Sequence, residues 1–370
     1  MKPIPILDLV RARKRIDAEL TDRWRKILDA SSYVQGPEVK EFECAFTGFL
    51  EARAVVGVGN GTDALVIALR ALGLEPGDEV LVPAFSFFAT AEAVFLAGGR
   101  PVFCDIDAAT YNLDPAELER QATPRTVGVI GVHLYGRPFD CESVATICRA
   151  NGWFLIEDAA QAHGARRRGR RVGTIGDLAA WSFYPTKNLG CFGDGGAISG
   201  MDEELMKRVH RLANHGQSER YTHVEIGTNS RLDSLQAAVL NCRLPLLEGD
   251  NANRRAHAAR YRERLAGVGD LRLPPDDPRD EVVYHQMTIA TGRRDELQEF
   301  LKGRGVASAV HYPSALHRQP AMSAAGLATP PELPRAEQAG SEVLCLPMYP
   351  ELEAAEVDRV SDEIRAFYGA

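Results

Sequence analysis

Short, nearly unbroken apolar runs, several of them followed by a turn and a helix-like stretch, constrain this chain more than any other feature. They are Ala54-Val55-Val56-Gly57-Val58, Val80-Leu81-Val82-Pro83, Pro101-Val102-Phe103, Val127 to Val132, Trp153-Phe154-Leu155-Ile156 and Leu178 to Phe183. Strands wet on one face alternate apolar and polar residues, whereas unbroken runs of this length suit strands covered on both faces. Helical stretches at Ala64 to Leu72, Ala89 to Ala97 and Cys141 to Ala150 fall between them and supply the crossovers that parallel strands require. The expected fold class is therefore α/β, a mostly parallel sheet between helices. Ligands on such sheets gather at the carboxyl ends of the strands. Asp158, the Gly61-Thr62 turn after Val58, and Phe87 beyond Pro83 all belong to that rim.

The flanks organise around this sheet. Leu7 to Leu28 has helical apolar spacing, and Gly36-Pro37 starts a second helix with Val39, Phe42, Phe46, Phe49 and Leu50 on one face. Glu203 to Ala213 and Asp233 to Leu244 read as helices, the latter ended or kinked by Pro245. After a basic helix, Asn253 to Leu265, the Gly, Asp and Pro residues of 267–278 suggest a change of unit. Beyond it a strand (Val282 to Ala290), a helix (Glu296 to Gly303), a strand (Val306 to Tyr312) and a last helix (Ala354 to Phe367) form a small α+β unit. The expected division is 1–250 and 251–370.

Bulk properties exclude some functions. A formal net charge of -8 argues against broad nucleic-acid binding but leaves an anionic small ligand open, because local fields depend on local residues. Seven cysteines without a CxxC pair read as reduced thiols of a cytoplasmic protein, and no metal is expected. No apolar run approaches bilayer length, and Met1 to Lys14 carries charges every few residues, so neither export nor a membrane span is expected.

Chemistry centres on Trp181-Ser182-Phe183-Tyr184-Pro185-Thr186-Lys187-Asn188-Leu189-Gly190. A lysine between aromatic residues and a glycine turn can be desolvated, which lowers its pKa and frees its amine to attack carbonyls; taken alone, it can equally snorkel at the surface. Pyridoxal phosphate (PLP) would need a lysine, a carboxylate on its ring nitrogen, an aromatic ring over its face and a phosphate cradle. Lys187, Asp158, Phe87 and Gly61-Thr62 can supply these, with the Ser182 hydroxyl joining the cradle. Gly59-Asn60-Gly61-Thr62-Asp63 can also be an ordinary N-capped turn, and Asp158 a helix cap.

The stretches Glu157-Asp158-Ala159-Ala160-Gln161-Ala162-His163-Gly164-Ala165 and Ser182-Phe183-Tyr184-Pro185-Thr186-Lys187-Asn188-Leu189, with Gly193-Asp194-Gly195-Gly196, resemble the DegT/DnrJ/EryC1/StrS family of sugar-nucleotide aminotransferases. Gly36-Pro37-Glu38-Val39, Asn60-Gly61-Thr62-Asp63, His133-Leu134-Tyr135-Gly136, Asn229-Ser230-Arg231-Leu232-Asp233, His311-Tyr312-Pro313 and Leu346-Pro347-Met348-Tyr349-Pro350 extend the resemblance, in order, over nearly the whole chain.

The resemblance implies a PLP-dependent transferase of fold type I, a homodimer with shared active sites, and ping-pong transfer from L-glutamate to a nucleotide-linked ketosugar (UDP or dTDP). In that reading Lys187 links to the cofactor and later shuttles the proton, Asp158 pairs with the ring nitrogen and Gln161 bonds the phenolic oxygen. Phe87 stacks, Gly61, Thr62 and Ser182 hold the phosphate, and Asn229 joins them from the other subunit. The motifs look most like C-3 aminotransferases, placing Arg231, His311 and Tyr312 toward the sugar; a C-4 enzyme or a non-catalytic regulator are the alternatives. Arg231 can also be a structural interface arginine, and His163 either reaches substrate or is a satisfied histidine at a helix end. Arg166 to Arg171 read as a solvated hairpin, with attraction of a diphosphate as the alternative, and nothing gives Cys191 a nucleophilic role.

Overall fold

The structure is a computed structural model that describes residues 2–327 and 332–370. Seven strands build the central sheet: β1 (Ala54–Val58), β2 (Glu79–Pro83), β3 (Arg100–Cys104), β4 (Thr126–Val132), β5 (Phe154–Asp158), β6 (Leu178–Ser182) and β7 (Gly196–Gly200). Their order across the sheet is β1-β7-β6-β5-β4-β2-β3. Every neighbouring pair is parallel except the two made by β7. The mostly parallel α/β sheet expected from the apolar runs is present.

Register fixes the working rim. Val132 lies opposite Asp158, and Asp158 opposite Ala180, so β4, β5 and β6 end nearly level. Because β7 runs antiparallel to both β1 and β6, β1 and β6 point the same way and the turn after Val58 opens on that rim too. Helices Gly61–Ala71 and Ala89–Leu96 pack with Val58, Val82, Ile130 and Ile156 on one face. On the other face, helix Pro37–Leu50 lays Phe42 and Phe46 edge-on against Phe183, at 5.2 and 5.7 Å between ring centroids. Full burial of such rings contributes about 2 kcal/mol each, and here it backs the turn that carries Lys187. A separate core of Ile4, Tyr261, Leu297, Leu301, Leu344, Val357 and Ile364 gathers the C-terminal helices.

Several expectations need correction. The leading helix is two, Leu9–Lys14 and Asp17–Ala30, broken where Ile16 turns into the core and Arg15 reaches Asp250 and Glu351 at 2.7 and 2.8 Å. The helix before Pro245 does end, at Arg243, with the proline in a 3-10 turn, Leu244–Leu246; what differs is the next helix, expected from Asn253, which starts at Leu247 and runs across residue 250 to Leu265. The strand expected over 282–290 is only Met287–Ala290, paired with Val343–Leu346, since Tyr284 has φ 41° and cannot extend the ladder. Residues 306–312 form no strand; Val306 bridges Ile4 and Ala309 bridges Cys345, one tether on each side.

The arginine hairpin is a hairpin but not a solvated one. Arg166–Arg167 pairs with Arg170–Arg171; Arg167 opposes Arg170 and Arg171 opposes Arg166, so Arg167 and Arg171 are buried on opposite faces of the ribbon, each against its own acidic partners. Arg167 meets Asp140, Glu142 and Asp280 at 2.7, 2.6 and 2.8 Å. Arg171 meets Glu248 at 2.6 Å and lies over the Phe49 ring.

Candidate active site

Strand β5 ends in Asp158, and β6 runs into the turn that carries Lys187. Asp158 is buried; its Oδ2 accepts a hydrogen bond from Thr90 Oγ1 at 3.0 Å and its Oδ1 one from the Ala160 N–H at 3.3 Å. Burial pushes its carboxyl pKa up, against the pull of Thr90, Ala160 and the Lys187 charge. Lys187 is half-buried as a residue but its amine is enclosed. Burial lowers that amine from 10.5 to about 8, with Asp158 pulling it back up. A lysine so placed has an appreciable free-amine fraction near neutral pH.

The cradle forms where two backbones touch. Helix Gly61–Ala71 starts at Asn60, whose side chain accepts from the Asp63 N–H at 2.8 Å. The capped turn is thus real, and it coexists with a site. A Cβ on Gly61 would lie 2.7 Å from Ser182 Cβ, so only glycine lets the helix N-terminus meet the serine hydroxyl. The N-terminus of that helix, with its dipole, thus lies against Ser182, and Thr62 follows Gly61 in its first turn, an arrangement that suits a phosphate.

Gln161 ties the rim to the C-terminal part. Its Oε1 accepts from the Tyr135 N–H at 2.6 Å, and its Nε2 donates to the Tyr312 hydroxyl at 3.2 Å. Tyr312 also lies 5.9 Å from the Phe87 ring, which is 55 % exposed on the open side. The Tyr135 hydroxyl donates to the His311 carbonyl.

His163 fits neither sequence-based reading. It is fully buried between Trp181 and Phe183, in a turn rather than at a helix end, and the Ser182 backbone is a polar neighbour of its ring, without a hydrogen bond of good geometry. Burial, with Lys187 second, lowers it to about 3, so it is neutral. Asn229 is exposed, and Arg231 donates to Asn214 Oδ1 at 3.2 Å; neither hydrogen-bonds the Lys187 cluster within the chain. Cys191 is an inert thiol whose pKa burial pushes up to about 12.

Sequence reasoning missed Thr90, Asn188 and His285. Thr90 holds Asp158; Asn188, next to the lysine, bonds the Val283 carbonyl and Asn251 Oδ1 at 3.0 Å each; and His285 Nδ1 lies 3.2 Å from Asn188 Oδ1. The position of Asn188 directly after the lysine was a signal; nothing local marks His285.

The match to the DegT/DnrJ/EryC1/StrS aminotransferase family covers residues 14–365. The chain belongs to that family. It is 46 % identical over 364 residues to the dTDP-3-amino-3,4,6-trideoxy-alpha-D-glucose transaminase of Streptomyces venezuelae, covering 98 % of this chain and 95 % of that one. It is 42 % identical over 354 residues to the UDP-2-acetamido-2-deoxy-3-oxo-D-glucuronate aminotransferase of Pseudomonas aeruginosa, covering 96 % and 97 %. A pleiotropic regulatory protein of Geobacillus stearothermophilus is 43 % identical over 367 residues, covering 99 % and 98 %. The crystal structure of S. venezuelae DesV in complex with a ketimine intermediate superposes with a TM-score of 0.97 at 44 % identity, all of both chains being covered. The fold is that of PLP-dependent aminotransferases, and PLP is the family's cofactor. Enclosed amine, buried carboxylate, exposed ring and glycine-serine cradle suit that cofactor's carbonyl, ring nitrogen, face and phosphate.

Proposed function

We propose that this aminotransferase moves an amino group from L-glutamate to C-3 of a UDP- or dTDP-linked 3-keto sugar in the cytoplasm. The observation that carries the reading is the enclosed Lys187 amine beside buried Asp158 at the ends of adjacent strands. Relatives named for 3-amino and 3-oxo sugar nucleotides support the C-3 assignment. PLP, when bound, supplies an electron sink that lets a proton leave the carbon bearing the nitrogen.

This chain's residues do the rest. Asp158 would hold the cofactor's ring nitrogen, whose positive charge would in turn keep the buried carboxylate ionised. Lys187 would supply the free-base amine that holds the cofactor and the base that moves a proton at the reacting carbon. Gln161 accepts from Tyr135 and gives one amide N–H to the Tyr312 hydroxyl, so the other N–H would be left for an acceptor on the cofactor. Gly61, Thr62 and Ser182 bind phosphate oxygens, and Phe87 covers the open face. We assign Arg231, His311 and Tyr312 to the sugar nucleotide, Arg231 by guanidinium pairing with an anionic group. His163 backs the lysine turn instead of touching substrate.

Assembly as a homodimer that shares sites completes the reading. Exposed Phe87, Tyr184, Phe192, Tyr221, Val224 and Ile226 favour a covered face, and exposed Asn229 is free to reach a second chain's cradle. For the units we propose a division at the Leu244–Leu246 turn. All seven cysteines are free thiols, and among the described residues no helix is long and apolar enough to cross a membrane; both suit the proposed location. The regulatory name of one relative keeps a non-catalytic role as the second reading, and retained Lys187 and Asp158 argue against it.

The test is the reverse half-reaction. The yellow PLP form is mixed with 3-amino and 4-amino sugar nucleotides, and loss of its visible absorption is followed. Only 3-amino sugars should react; reaction with 4-amino sugars alone overturns the C-3 assignment, and a colourless protein that takes up no PLP overturns catalysis.

A further inference from the structure

Away from the lysine, a small cleft opens between the turn after β4 and the segment 282–288. Arg137, Arg262, Tyr135, Tyr284, Gln286 and Thr288 line it. Its inner part, about 20 Å³, holds about one water-sized group, and about 360 Å³ is free of protein atoms once the open mouth is counted, so a small head group can enter from the mouth. Arg137 is 4 % exposed, and its Nη1 is cut off from solvent without a hydrogen-bond partner. A buried guanidinium is normally paired, and an unpartnered one asks what neutralises it.

The acids nearby are engaged elsewhere. Asp280, which feels the Arg137 charge only weakly, meets Arg167 at 2.8 Å. Asp276 meets Arg262 at 3.0 Å. Arg137 therefore brings a positive charge to the cleft, with Arg262 at its wall. A guanidinium presents several N–H groups in one plane, matching two oxygens of one anion better than a single round ion. Gln286 adds a neutral donor at the rim, where the Tyr284 hydroxyl is turned to Asp276.

We propose that this cleft binds a small oxyanion, a phosphate or a carboxylate head group, on Arg137. The site is distinct from the Gly61 and Ser182 cradle and bears on the catalytic rim. Tyr135, two residues before Arg137, donates its N–H to Gln161 and its hydroxyl to the His311 carbonyl. The Gly136 carbonyl accepts from the Val283 N–H at 3.0 Å. An anion on Arg137 thus sits against the turn that orients Gln161 and bridges it to the segment that carries His285.

The test uses cofactor-loaded protein, so that the catalytic cradle is already filled. Inorganic phosphate, and acetate in a second arm, are titrated at constant ionic strength set with sodium chloride. Calorimetry and the thermal midpoint are the readouts. Saturable binding is expected, weakened roughly tenfold or more in Arg137→Gln and a few-fold in Gln286→Ala. Phosphate binding without acetate binding assigns an inorganic or ester phosphate, and the reverse assigns a carboxylate. Affinity unchanged in Arg137→Gln, no saturable binding of either anion, or chloride competing as well as either oxyanion overturns the proposal. Should Arg137→Gln fail to fold by circular dichroism, Gln286→Ala and Arg262→Gln decide, and unchanged affinity in both overturns it.

Discussion

Replacing Lys187 by methionine should stabilise the cofactor-free protein, by an amount that depends on pH. Burial lowers the amine from 10.5 to about 8 in the fold. Its folded pKa lies below its unfolded value, so between about pH 8 and 10.5 the unfolded chain holds more protons, and stability rises with pH across that window. At about 1.4 kcal/mol per pH unit, the charged lysine costs the fold about 3 kcal/mol below pH 8, and that cost is gone near pH 10.5. Methionine removes the cost at every pH. It also removes the attraction that steadies Asp158, whose carboxyl is already pushed up by burial, so the net gain at pH 7 should be about 1–3 kcal/mol. Urea unfolding of both cofactor-free proteins at pH 7, 8, 9 and 10 measures the difference, and ionisation of tyrosines and thiols cancels between them. The gap should close as pH rises; a gap constant over that range, or widening, refutes the enclosed-amine argument. Added PLP should reverse the ranking, because it binds the lysine protein far more tightly.

Other substitutions probe the remaining parts. Asp158→Asn keeps the shape that meets Thr90 but removes the charge, and single-turnover rates with glutamate should fall by roughly 100-fold or more, with the cofactor still bound. Gly61→Ala would place a Cβ 2.7 Å from Ser182 Cβ, so PLP titration should show about tenfold weaker binding. Arg167→Ala leaves three carboxylates around a buried position and should cost about 3 kcal/mol or more in urea unfolding, while Arg168→Ala, exposed on the same hairpin, should stay within about 0.5 kcal/mol. His163→Phe should leave stability unchanged or raise it by about 1 kcal/mol, because it removes two unpartnered buried nitrogens between aromatic rings. A loss of several kcal/mol there would mean the imidazole has a partner.

The sheet was legible because unbroken apolar runs carry their own signal, and β5 with Asp158 and β6 before Lys187 lie where those runs ended. The cradle was legible because glycines and hydroxyls at a helix start have a local reason to be there. The C-terminal part was less so. Residues 306–312 have strand composition, yet their backbone pairs singly with Ile4 on one side and Cys345 on the other, a tertiary choice that no window of sequence contains. The arginine hairpin misled for a related reason: a dense run of charge looks solvated until Asp140, Glu142, Asp280 and Glu248 arrive from elsewhere in the chain. His285 reaches the site by the same long-range route, through Asn188.

What surrounds the lysine amine explains why the site can wait for a cofactor. Three imidazoles lie within reach of its charge, those of His163, His285 and His311, and the pKa of each is lowered, first by burial and then by the Lys187 charge. Their folded pKa values lie below the unfolded one, so the unfolded chain takes up protons more readily as pH falls through the usual histidine range, and stability falls with it. Lysine costs stability through neutral pH and the histidines cost it in acid, while the carboxylate that offsets the amine is itself penalised by burial. None of these groups is arranged for the stability of the empty fold. Each becomes favourable when a carbonyl takes the lysine's charge, a cation meets Asp158 and a phosphate meets the cradle. The same ligand therefore relieves amine, carboxylate and helix N-terminus together, and cofactor binding and folding stability should be strongly linked in this chain.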